Sequence, residues 1–138
     1  MATRCYDLFI SHAWDYDERY QGIVRLLNSV PGFTWRDYSV PRDRPIVDPR
    51  TEVGVRLLTS KLDEQIRQAT CFILVAGMFV NHREWVQREI RIAQKYGKRV
   101  VGVRRRGQQI TPGEVVNVSH ALVNWNSQSL VDAIRSVA

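Results

Sequence analysis

Two short strings carry residue types able to do chemistry. Trp85-Val86-Gln87-Arg88-Glu89 sets an aromatic ring and a carboxylate one helical turn apart, on one face of a helix. Tyr6-Asp7-Leu8-Phe9-Ile10-Ser11-His12 is an apolar run with a polar tip. A carboxylate beside an aromatic ring in a cleft suits a sugar ring and a flat base, one stacked and the other hydrogen-bonded. The same spacing also allows Glu89 to pair with Arg83, Arg88 or Arg91 on an exposed helix, with Trp85 packed as core. Spacing alone leaves both open.

Other chemistries lack their residues. No GxxxxGK[ST] string is present to cradle a nucleoside triphosphate, and no GxGxxG follows the first strand to hold a dinucleotide. GxSxG, the nucleophile elbow of a Ser-His-Asp hydrolase, is also missing. A phosphoacceptor receiver domain needs a carboxylate just after the third strand, where this chain has Gly77-Met78. His12, His82 and His120 are scattered, and Cys5 and Cys71 have no CxxC partner, so no metal site is expected.

The elements that position the two strings alternate along the chain. Asp7 to Ser11 is a brief apolar run, and Tyr20, Ile23, Val24 and Leu27 then mark an amphipathic helix ended by Pro31-Gly32. Phe33-Thr34-Trp35 predicts a second strand. Asp37 to Thr51, with Pro41, Pro45 and Pro49, predicts a long ordered loop of the kind that binds or gates a ligand. Val55, Leu58, Leu62 and Ile66 stripe a second helix ending near Ala69. Cys71 to Ala76 is apolar at every position, as in a strand buried on both faces.

Glu84 to Tyr96 predicts a third helix with core stripe Val86, Ile90 and Ala93 and a stop at Gly97, leaving Trp85 and Glu89 to face a crevice instead. Arg99 to Val103 and Ala121 to Val123 complete the strands, with a short helical turn at Pro112 to Val116. Ser127 or Ser129 is expected to cap a last helix bearing Leu130, Ile134 and Val137. Right-handed crossovers turn this alternation into an α/β fold, a flavodoxin-like open parallel five-stranded sheet with helices on both faces. Ligands then bind beyond the strand carboxyl ends where strand order reverses, between the first and third strands.

The chain has 138 residues, which fits a single domain over 1–138. No apolar run is long enough to span a membrane, and Met1 to Phe9 lacks a signal-peptide pattern. With only two cysteines and no disulfide framework, a cytoplasmic location with reduced thiols is expected. The formal net charge is +6, and only Lys61, Lys95 and Lys98 among the 20 basic residues are lysines. An Arg-rich surface fits an anionic ligand, since the guanidinium grips phosphate and carboxylate in a planar fork. Aromatic residues are not interleaved with the basic run Arg104-Arg105-Arg106, which argues against nucleic acid.

Taken together and in order, the two strings resemble the TIR domain family from Tyr6 to about Trp125, most closely the TIR-like proteins of bacterial Thoeris antiphage defence. Tyr6 to His12 is similar to the family's opening strand. Phe33 to Asp37 resembles the strand leading into the BB loop, which would run from Asp37 to about Pro49. Arg83 to Ile90 is similar to the helix carrying the catalytic glutamate of NAD-consuming members. The resemblance implies cleavage of the nicotinamide–ribose bond of NAD and release of a cyclic or otherwise modified ADP-ribose signal. NAD is then a substrate, and no cofactor is implied.

By the same carry-over Glu89 is the catalytic carboxylate, and Trp85 packs on the nicotinamide or its ribose. Ser11 and His12 border the pocket, and Asp37 with Ser39 belongs to the gating loop. Arg36 or Arg42 is placed to meet the pyrophosphate. The resemblance also implies self-association through TIR-like surfaces and a separate effector protein that reads the product. Two rivals come from other classes. One is a non-catalytic TIR-like assembly module, and the other is a nucleoside deoxyribosyltransferase-like enzyme in which a glutamate attacks a nucleoside.

Overall fold

The protein is described from a computed structural model, over residues 4–11, 18–39, 50–107 and 110–138. Strand β3, Cys71–Val75, has every residue buried, as its unbroken apolar run requires. It pairs in parallel with β1, Cys5–Ile10, on one side and with β4, Arg99–Val103, on the other. The edges are β2, Thr34–Asp37, and β5, Ala121–Val123, so the order is β2-β1-β3-β4-β5. All four pairings are parallel. Order reverses between β1 and β3, as a flavodoxin-like sheet predicts.

Helices α1, Glu18–Asn28, and α6, Ser127–Val137, pack on each other against one face of the sheet. On the other face α2, Glu52–Gln68, packs on α4, Arg83–Lys95. Two short helices, α3 (Ala76–Asn81) and α5 (Gly113–Val118), fill the connections after β3 and β4. The sequence reading extends the third strand to Ala76 and shows no α3. An apolar run followed by Gly77-Met78-Phe79 has no helical stripe to reveal, and the run turns into helix at Ala76 itself.

Local signals explain the helix ends. Thr51 Oγ1 accepts from the Gly54 amide at 2.9 Å and caps α2. Gly97, at φ +63°, stops α4 as its sequence position predicts. The Gly97 amide donates to Gln94 O at 3.0 Å and the Lys98 amide to Ala93 O at 2.9 Å, a Schellman closure. The last helix departs from expectation. Its cap is Asn126, whose Oδ1 accepts from the Ser129 amide at 2.9 Å, rather than Ser127 or Ser129 themselves. Extended backbone at Asn126 lets the side chain reach back over the first turn.

The α2–α4 face is also tied by polar contacts. Asp63 on α2 accepts a hydrogen bond from the Tyr96 hydroxyl and one from Lys95 Nζ at 3.0 Å. The Tyr96 bond chiefly, then Lys95, holds the Asp63 carboxyl below its ordinary range. A carboxyl depressed in the folded state contributes stability that is present above its unfolded pKa, near 4, and lost as pH falls through the folded value. Urea midpoints of the Asp63→Asn variant are therefore expected to lie below wild type at pH 7 and to converge with it toward pH 2. A constant gap across that range would contradict the linkage. Among the described residues no helix is long and apolar enough to cross a membrane.

Candidate functional site

The carboxyl ends of β2, β1 and β3 are joined by hydroxyl groups. Ser11, the residue after β1, is fully buried, and its Oγ accepts from the Val75 amide at 2.8 Å. Its own amide donates to Ile73 O at 2.9 Å. Across the other gap, Ser39 Oγ accepts from the Ile10 amide at 3.0 Å and donates to Ile10 O at 3.3 Å. Asp37 closes this corner, with Oδ1 accepting from the Ser39 amide at 2.8 Å and Oδ2 from the Tyr20 hydroxyl on α1. Ser11, Asp37 and Ser39 thus meet at the switch point. Their polar atoms fix the backbone there, which is a positioning part that periodicity could not reveal.

The second group stands on α4, reached from Val75 through α3. The α3–α4 corner is held by Asn81 Nδ2 donating to Gly77 O at 3.0 Å and by the Arg83 guanidinium 5.0 Å over the Phe79 ring. Glu89 has no exposed surface and is buried together with Val86, Ile90, Ile92 and Ala93. The expectation that the Trp85–Glu89 face turns away from the core stripe into an open crevice is corrected here. Glu89 instead lies on the buried arc of α4, beside its core stripe.

The alternative of an exposed Glu89 paired with a neighbouring arginine also fails. Arg88 instead pairs with Glu84 at 3.1 Å, and its guanidinium lies 4.6 Å over the half-buried Trp85 ring. A carboxyl group is costly to bury, and a buried one near strand carboxyl ends is a candidate functional group.

Other sequence candidates are placed less centrally. Arg36, with its side chain 62% exposed, is committed to Asp7 at 2.7 Å along the β1–β2 edge, so it does not reach toward a pyrophosphate. That contact raises the Arg36 pKa further. His120 Nδ1 accepts from the Val100 amide at 2.9 Å and serves the β4–β5 junction. Burial pushes the Cys71 thiol up to about 12, which removes it as a nucleophile. His12, Arg42 and the loop from Val40 to Pro49 lie outside the described residues.

One feature escaped the sequence reading. A cleft of about 540 Å³ opens at the same strand ends but against α1, lined by arginines and Trp125, and Glu89 is not among its walls. The run Arg104-Arg105-Arg106 just beyond a strand carboxyl end was the available signal for it.

Solved structures of similar shape include those of two enzymes. The CMP N-glycosidase BcmB of Clostridium botulinum is 16% identical with a TM-score of 0.56, covering 94% of this chain and 98% of that one. A 2-deoxyribosyltransferase of Bacillus psychrosaccharolyticus is 14% identical with a TM-score of 0.55, covering 89% of this chain and 90% of that one. At these identities the likeness is one of fold. No curated protein sequence matches the chain. Residues 9–110 match the family described as Thoeris protein ThsB, TIR-like domain. That match takes in Ser11, the β2 corner, α3 and the whole of α4, and the chain belongs to this Thoeris TIR-like family.

Proposed function

We propose that the protein cleaves the nicotinamide–ribose bond of NAD, with Glu89 as the catalytic carboxylate, and makes an ADP-ribose-derived signal for antiphage defence. The observation that carries the proposal is the burial of Glu89, a carboxyl group buried on α4 along with Val86, Ile90 and Ala93. The C1′–N1 bond breaks with its electron pair going to the nicotinamide nitrogen, which is cationic in NAD and leaves neutral. No general acid is required. The ribosyl cation left behind is stabilised by a nearby ionised carboxylate, in a site where low dielectric strengthens the attraction. One carboxylate then does the work for which most glycosidases use two.

Trp85 supplies an aromatic face for the leaving ring or its ribose. Ser11, Asp37 and Ser39 hold the strand ends that frame the site. Capture of the cation by water gives ADP-ribose, and capture by a hydroxyl of the same molecule gives a cyclic product, which a separate effector protein would read. Glu89 is covered in this conformation, so substrate reaches it only after an opening step, and self-association is the step we assign to that role. The discriminating experiment incubates concentrated protein with NAD, CMP and deoxynucleosides in parallel and follows free base by chromatography. Nicotinamide release is expected to exceed release of cytosine or any other base. Base release from CMP or deoxynucleosides with NAD left whole would replace this reading by a nucleosidase or transferase.

A further inference from the structure

The cleft on the α1 face is walled by Arg19 and Arg25 from α1, and by Arg105 and Arg106 from the segment after β4. Among the described residues of its wall Glu18 is the only carboxylate, beside four arginines. Among the described residues Arg25, Arg105 and Arg106 form no ion pair with a carboxylate. Like charges gathered around a concave surface repel one another and focus a positive potential into it, which an anion relieves.

Trp125 gives the cleft an aromatic wall. It lies so close to α1 that a Cβ on Gly22 would come within 2.6 Å of its Cζ2. On the other side, a Cβ on Gly77 would come within 2.9 Å of Arg19 Cδ. The two glycines therefore let an aromatic ring and an arginine stem settle against the backbone, where side chains would push them into the opening. Arg106 reaches over the Trp125 ring at 5.8 Å, so the charged and flat surfaces adjoin. The volume of about 540 Å³ lies within the usual range for small-molecule sites.

We propose that this cleft is a second ligand site, distinct from the Glu89 region, for a nucleoside diphosphate. Its phosphates lie among Arg19, Arg25, Arg105 and Arg106, and its base lies against Trp125. A diphosphate carries the charge opposite to that of Arg25, Arg105 and Arg106, and forked guanidinium contacts to phosphate oxygens are the strongest polar contacts such a wall offers. The site sits on the α1–α6 face, whereas Glu89 belongs to the α2–α4 face, so occupancy of one does not require the other.

The test is calorimetric titration of ADP, adenosine and inorganic pyrophosphate into wild-type protein, the Arg105→Ala/Arg106→Ala variant, Arg25→Ala and Glu89→Gln. ADP is expected to bind wild type and Glu89→Gln equally and to bind the double variant about tenfold or more weakly. Arg25→Ala, on an exposed helix surface, is expected to weaken ADP in the same direction. Adenosine and pyrophosphate should each bind more weakly than ADP, because each lacks one half of the contacts. Equal ADP affinity in wild type and both arginine variants overturns the proposal, as does loss of ADP binding in Glu89→Gln. Pyrophosphate binding as tightly as ADP overturns the assignment of a base to Trp125.

Discussion

Glu89→Gln is expected to lower the rate of nicotinamide release by about 10²–10³-fold, while leaving the fold at least as stable as wild type. The amide keeps the shape of the carboxylate and removes only its charge. Stabilisation of a ribosyl cation depends on that charge, so the loss falls on the transition state, and kcat should drop with little change in KM. Stability should move the other way. Glu89 has no exposed surface, and a neutral amide of the same shape is cheaper to bury than a charged carboxylate, whichever neighbours it bonds. An equal or higher melting temperature together with lost turnover is the signature of a residue kept for chemistry. Unchanged turnover would remove Glu89 from the mechanism, and a large loss of stability would make it a structural residue instead.

The second large effect concerns the frame. Phe72 lies fully buried in β3, the central strand, stacked on Phe9 of β1 with ring centroids 5.5 Å apart and planes 9° from parallel. The two rings cross the β1–β3 gap in register, which is also the switch point of the sheet. Phe72→Ala removes the ring from a strand clasped on both edges and both faces, where the backbone cannot collapse into the space. A cost of about 3–5 kcal/mol is expected. For a chain of this size that is a large part of a total stability of roughly 5–15 kcal/mol and lowers Tm by about 10–20 °C. Urea and thermal unfolding measure it. A cost below about 1 kcal/mol would mean that this ring pair does not anchor the sheet.

The contrast between Phe72 and Glu89 shows what a sequence discloses. The apolar run from Cys71 has one economical home, a strand covered on both faces, and β3 occupies it as far as Val75 before Ala76 turns into α3. Of the stripe Tyr20, Ile23, Val24 and Leu27 on α1, all are buried as the spacing predicts except Val24, which is half-buried. On α2 only Leu62 and Ile66 of the predicted stripe are buried, because the stripe records one face and not how far a neighbour extends along it. Glu89 was legible as a candidate but not as a buried one. Helical period places it beside the core stripe, and its complete burial depends on tertiary packing that no local spacing records. The hydroxyls of Ser11 and Ser39 were legible as polar residues at strand ends, yet their bonds to Val75 and Ile10 depend on the parallel register of three strands. The α1 cleft is assembled from helix, loop and strand ends far apart in sequence, and no local pattern encodes such a convergence.

Belonging to a TIR-like family leaves the choice between an enzyme and an assembly module to chemistry. Mass spectrometry of NAD incubated with concentrated protein addresses it most directly. The account predicts that NAD disappears while nicotinamide accumulates in equal amount, accompanied by ADP-ribose or a product isomeric with dehydrated ADP-ribose. NAD recovered intact from protein that has visibly self-associated would contradict it and leave assembly as the function.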